Sequence, residues 1–201
     1  GYEDGSLVTD VFAFRGGTFR NLTAAGSGGG ISTVRNYYVY AADIDEDGRI
    51  ELPDIHTLPS AADSEESFSV IDWYNLSLNA VRTHKCTTYH NFSGGWYLTL
   101  PDAWQDQLCI VRSAEVGGVR GYTFCRWDGS AVTEQIFTIY AFSGDNRTQT
   151  AYADGRFILA EKGDITYAAQ LGTGKWAKEL SEDGLKAMFR FIHIDWNSGE
   201  T

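Results

Sequence analysis

Asp43, Asp45, Asp47 and Glu51 fall within nine residues, in the order Asp43-Ile44-Asp45-Glu46-Asp47-Gly48-Arg49-Ile50-Glu51. Alternate carboxylates of this kind can converge on one point if the chain curls around it. Gly48 permits the sharp reversal that follows, the carbonyl of Arg49 can face inward, and Glu51 can close the shell from the far side. Clustered acids repel one another, and a divalent cation removes that penalty. A hard cation with six to eight oxygen ligands at roughly 2.3–2.6 Å suits the set. The reading is a Ca²⁺ site with ligands Asp43, Asp45, Asp47, Arg49 and Glu51, serving to stiffen the loop and not to catalyse.

The setting decides which kind of loop this is. An EF-hand needs helices on both sides and uses its twelfth position, here Asp54. The entering residues Tyr37-Tyr38-Val39-Tyr40-Ala41-Ala42 are aromatic and β-branched, and Pro53 breaks an exiting helix early. Strand, loop, strand fits better. In that form residues 41–52 (AADIDEDGRIEL) resemble an FG-GAP-type repeat, the propeller-blade unit of integrin α-subunits and many bacterial surface proteins, with Glu51 where those repeats carry Asp. The upstream hairpin DVFAFRGGTFRNL is similar to the outer strands of a preceding blade. One repeat cannot close a propeller, so the resemblance implies a piece of a longer protein. The abrupt start at Gly1-Tyr2-Glu3-Asp4 is read in the same way.

Other groups invite chemistry less strongly. His84, Cys86 and His90 share one parity, so a regular strand over 80–92 would project all three from one face, as a Zn²⁺ or Cu site requires. No second element supplies a further ligand, and a mixed polar face with a half-buried thiol is the favoured reading. Cys86 and His90 would lie about 13 Å apart along such a strand, too far for a nucleophile–base pair. Asp72, Asp102, Asp128, Asp145, Glu161 and Asp195 offer no particular pair for glycoside hydrolysis, and solvated surface acids explain them. Trp73, Trp96, Trp104, Trp127, Trp176 and Trp196 could stack on sugars, although most tryptophans of a strand-rich chain fill its core. No catalytic residue is assigned.

The elements that must position these groups are mostly strands. Short apolar or alternating runs are expected at 7–14, 18–22, 68–74, 80–92, 96–100, 108–115, 119–127, 135–143, 156–161 and 165–171, separated by Gly-rich turns. Gly-rich 24–30 and acidic 61–67 are read as loops. Pro101 suits the first turn of a short helix, 146–153 reads as helical or irregular, and Ser181 caps a helix over about 182–190. Leu185, Met188, Phe189 and Ile192 give that helix one buried face. If Gly117-Gly118 turns a hairpin, Cys109 and Cys125 fall nearly opposite each other, either bridged or as buried free thiols. The odd count of 3 cysteines argues against a disulfide framework.

Composition limits the partners. The 201 residues contain 27 acidic against 16 basic groups, a formal charge of −11, which repels phosphate backbones and anionic membranes. No apolar run approaches the roughly 20 residues of a spanning helix. The sequons at Asn21, Asn75, Asn91 and Asn146 are too short a pattern to imply glycosylation. A second resemblance begins at Trp96: the pattern W-x-L-T-L-P-x-x-W (Leu98, Leu100, Pro101, Trp104), then a hairpin and the run IFTIYAF, is similar to PsbP-like bacterial lipoprotein domains over 95–195. It implies an α+β fold and a binding or assembly role.

The expectation is therefore mainly β or α+β: antiparallel sheets, with a propeller-like region 1–92 carrying the Ca²⁺ loop and an antiparallel α+β domain 93–201 with two or three short helices. In function it is a non-catalytic secreted or cell-envelope module that contacts an unknown protein or glycan at the cell surface. A carbohydrate-binding module with exposed Trp or Tyr and an unrecognised hydrolase are the alternatives.

Overall fold

A computed structural model describes residues 6–24, 33–60 and 66–192. All but Ala24 of the expected Gly-rich loop 24–30, most of the acidic run 61–67, and Asp195 and Trp196 lie outside the described residues. The chain is mainly β, with three antiparallel sheets and a few short helices.

The first strands, β1 (Phe12–Arg15) and β2 (Thr18–Asn21), form a two-stranded hairpin. Its turn is Gly16-Gly17, both at positive φ (61° and 81°), the geometry whose twist matches the flanking strands. Residues 37–42, expected as a strand, instead hold a tight turn closed by the Val39 amide on the Tyr37 carbonyl at 2.8 Å, with a single bridge from Ala42 to Glu51. They find no strand partner because they lie across a sheet face, with Val39 and Ala42 buried against Ile71 and Trp73.

Five strands form the first large sheet: β3 (Leu52–Thr57), β4 (Ser69–Leu76), β5 (Arg82–Asn91), β6 (Trp96–Leu100) and, at its edge, β12 (Phe189–Phe191), in the order β12-β6-β5-β4-β3. The second contains β7 (Leu108–Arg112), β8 (Val119–Trp127), β9 (Val132–Phe142), β10 (Phe157–Lys162) and β11 (Ile165–Leu171), in the order β10-β11-β9-β8-β7. The division expected at 92/93 falls in the turn of the β5–β6 hairpin, whose strands share one sheet. The Gly117-Gly118 turn forms, and Cys109 pairs with Cys125 across β7 and β8, both side chains buried.

The two sheets pack face to face through aromatic rings. Tyr89 meets Phe124 edge-on at 5.3 Å, Trp96 meets Tyr122 at 5.8 Å, and Phe124 stacks on Phe137 at 4.6 Å. Val70, Leu98, Leu100, Ile110, Ile136 and Ile139 complete this core. Inward residues of alternating strands thus supply one apolar layer, as a sandwich requires.

The helices seal its margins. Short α1 (Arg147–Ala151) buries Ala151 against Phe142 and Ala168, and α2 (Lys175–Lys178) places Trp176 flat on Trp104 at 5.7 Å. Helix α3 (Glu182–Met188) begins as expected, with the Ser181 side chain accepting a hydrogen bond from the Gly184 amide. It ends at Met188, earlier than the apolar pattern suggests, because Phe189 pairs with Leu98 as β12.

Candidate functional site: an acidic loop clamped over a bulged strand

The acidic loop is fixed at both ends. Ala42 and Glu51 exchange two backbone hydrogen bonds of 2.8 and 3.1 Å, and the chain runs from Glu51 directly into β3. Between them, Ile44 is buried on the outer face of the first large sheet, beside Trp73 and Tyr97. This apolar anchor holds the loop down. The tip then turns through Glu46 (φ 61°) and Gly48 (φ 85°). Asp43 stabilises that turn, its two oxygens accepting from the amides of Asp47 (2.9 Å) and Gly48 (2.8 Å).

Three carboxylates converge. One oxygen each from Asp43, Asp45 and Glu51 lie within 4.8 Å of one another, and no other group of three His, Cys, Asp or Glu does so among the described residues outside this loop. Glu51 has no exposed surface. Its Oε2 accepts a 3.2 Å hydrogen bond from the Ile44 amide, while its buried Oε1 has no hydrogen-bond partner. Burial raises the Glu51 pKa against the stabilising pull of the Ile44 amide, and Asp45, Asp47 and Asp43 raise it further. A buried carboxylate oxygen without a donor is costly, and a hard cation is one group that could satisfy it.

Asp47 stands apart from those three. Its Oδ1 accepts from the Arg49 amide at 3.0 Å, and its Oδ2 lies 2.6 Å from Lys85 Nζ. Lys85 also reaches Asp45 Oδ2 at 2.8 Å. These contacts raise the Lys85 pKa, Asp45 first, and lower that of Asp47. Of the five expected ligands, the structure brings together Asp43, Asp45 and Glu51, ties Asp47 to Lys85, and uses the Arg49 amide to support Asp47.

Lys85 escaped the sequence reading because its direction depends on a β-bulge. Trp73 pairs with Cys86 but Tyr74 pairs with His84, so Lys85 is the extra residue on β5. The bulge also corrects the expected common face of His84, Cys86 and His90. Adjacent residues of β4 point to opposite faces, so their partners Cys86 and His84 do as well. Cys86 and His90 face the loop side, where burial pushes the Cys86 thiol up to about 12 and holds His90 down to about 3. His90 stacks on Tyr97 at 5.0 Å and lies 6.2 Å from Trp73, as a neutral member of an aromatic cluster.

His84 lies on the inner face with a polar group that sequence spacing gives no means of assembling. His56 Nδ1 is 2.9 Å from Asp72 Oδ2, Thr87 donates to Asp72, and His84 Nε2 sits 3.1 Å from Thr87 Oγ1. The hydrogen bond to Asp72 raises the His56 pKa; burial would raise that of Asp72, but His56 and Thr87 outweigh it and lower it. Because Thr87 spends its proton on the carboxylate, the group lacks the hydroxyl-to-imidazole donation that activates a nucleophile.

Several of the remaining candidates take structural places, while Asp102 and Asp145 are exposed. Trp73, Trp96 and Trp104 are buried, so they present no sugar-stacking platform. Asp128 caps its turn through the Ser130 and Ala131 amides, and Glu161 accepts from Thr148 and Thr166. Among the described residues no helix is long and apolar enough to cross a membrane. Compared with protein-family models, curated proteins and solved structures, the chain matches none.

Proposed function

We propose that this chain is a non-catalytic module of a secreted or cell-envelope bacterial protein, and that Ca²⁺ held by Asp43, Asp45 and Glu51 fixes the loop 43–51. The observation that carries the reading is Glu51: a fully buried carboxylate whose Oε1 lacks a donor, within 4.8 Å of two further carboxylates. The ion would supply charge neutralisation and oxygen coordination there. The chain's own residues do the rest: Ile44 anchors the loop, the Ile44 amide orients Glu51, and Asp43 shapes the tip. Three protein carboxylates form a sparse set, suited to the weak Ca²⁺ affinities of extracellular modules. The FG-GAP-type spacing of residues 41–52 agrees with such a setting, and the interaction or assembly role is part of the same proposal.

Thermal unfolding in Ca²⁺ and in chelator tests this. A ligand that binds the folded state stabilises it by about 2.7 kcal/mol at one hundred times its dissociation constant. The melting temperature should rise with Ca²⁺ in the natural sequence and not in the Asp45→Asn, Asp47→Asn double variant. An equal rise in both would place Ca²⁺ elsewhere.

A carbohydrate-binding role is the second reading, favoured by one feature. Tyr37, Tyr38, Asn36 and Phe92 line an open cleft of about 430 Å³, with Tyr37 and Tyr38 exposed. Aromatic faces beside an amide can stack on a pyranose and hydrogen-bond its hydroxyls. A glycan array that binds the natural chain but not a Tyr38→Ala variant would support it; no binding at millimolar sugar would retire it.

A further inference from the structure

Asp45 has two claims on it. One of its oxygens belongs to the convergent set with Asp43 and Glu51, and its Oδ2 lies 2.8 Å from Lys85 Nζ, which also holds Asp47 Oδ2 at 2.6 Å. Lys85 is not placed there by a regular strand. The β5 bulge inserts it as the extra residue opposite Trp73 and Tyr74, so the backbone itself delivers an ammonium to the rim of the carboxylate cluster. The buried Oε1 of Glu51 provides an independent pointer to a cation at the base of the same cluster, because no hydrogen-bond donor reaches it.

We propose that Lys85 is a built-in competitor of the divalent ion, a latch joining Asp45 to Asp47 that must swing away before the ion can gather its full oxygen shell. The proposal rests on the Ca²⁺ reading above and adds its regulation. Two cations sharing the Asp45 carboxylate would stand only a few ångströms apart, and like charges at that range repel even through water. Released from Lys85, Asp47 becomes free to join Asp43, Asp45 and Glu51, which brings the carboxylate count to the four that the sequence spacing offers. The latch thereby lowers affinity and makes binding a switch between two arrangements of the loop: Lys85-held and ion-held. Ammonium and ion both neutralise the acids, so the exchange moves the Asp47 side chain toward the ion and Lys85 from the rim to solvent.

Calorimetric titration of CaCl₂ into the natural chain, Lys85→Met and Lys85→Arg tests this directly. The expected result is about tenfold tighter binding by Lys85→Met, since a competing charge is removed, with Lys85→Arg close to the natural chain. Equal or weaker binding by Lys85→Met, in a protein that does bind Ca²⁺, overturns the latch and leaves the Ca²⁺ site standing. No binding by either the natural chain or Lys85→Met overturns both, and would make Lys85 the permanent counter-ion of the loop. Should Lys85→Met fail to fold, acetylation of the natural chain followed by peptide mass spectrometry reads the same event. Modification of Lys85 should speed up several-fold in saturating CaCl₂, and an unchanged rate at saturation contradicts the release.

Discussion

The two faces of the β12-β6-β5-β4-β3 sheet are built on different terms. Its inner face meets the second sheet through Val70, Tyr89, Trp96 and Leu98, and the contact is almost wholly apolar. Its outer face is covered by residues 39–51 and buries Trp73 and Tyr97 together with polar Thr88, His90 and Glu51. Apolar burial has no proton or hydrogen-bond partner to account for, whereas each buried polar group needs a partner and, where it titrates, a protonation state that suits its site. One sheet thus carries an apolar core on its inner side, with polar groups only at its open edge, and on its outer side a layer whose buried polar groups must each be satisfied.

Truncating the inner core should give the largest effect. Phe124 is fully buried between Tyr89 and Phe137. Phe124→Ala should cost about 3–5 kcal/mol in urea denaturation, and by the same amount at pH 5 and pH 7. A loss that varies strongly with pH would break the contrast between the faces.

The outer layer should show the opposite behaviour. Burial holds His90 near 3, so between its ordinary pKa and that value the unfolded chain binds a proton that the folded chain refuses. Stability contributed by neutral His90 is thus present above about pH 6.5 and is lost as pH falls, by up to about 3 kcal/mol at pH 4. His90→Phe keeps a ring against Tyr97 and should remove most of that acid dependence in denaturation curves measured from pH 7 to 4. An unchanged slope would mean that other groups titrate there.

A smaller effect, of opposite sign, should come from His56 at the open edge of the inner face. Its folded pKa is raised by Asp72, so its contribution is complete below about pH 6.5 and is lost as pH rises through the higher folded value. Asp72 is lowered, so its share is present above its unfolded value and is lost as pH falls through the folded one. The pair is therefore strongest between those limits. His56 is about a third exposed, and solvent screening keeps the effect to about 1 kcal/mol or less. His56→Gln should flatten the decline in stability between pH 6 and 8, as followed by chemical denaturation.

The sandwich was legible because its signals are local. Strands over 96–100, 119–127 and 165–171 start and stop where alternation and glycine turns place them, and Ser181 caps its helix as its side chain dictates. The acidic loop was legible for the same reason, since its spacing lies within nine residues. What escaped was long-range. Tyr37 to Ala42 have strand composition, yet they bury against a sheet face instead of joining a sheet. The β5 bulge separates His84 from Cys86 and sends Lys85 to the loop, because β4 and β5 pair out of step there. His56 and Asp72 meet only because β3 and β4 are in register. Pairing between distant segments decides such contacts, and spacing along the chain does not encode it.

The most direct test of the Ca²⁺ assignment is a crystal structure grown in millimolar CaCl₂ with anomalous data. One strong peak is expected at roughly 2.3–2.6 Å from Glu51 Oε1, with Asp43 and Asp45 in the same shell. No peak beside Glu51 at saturating Ca²⁺, with Lys85 still spanning Asp45 and Asp47, would contradict it.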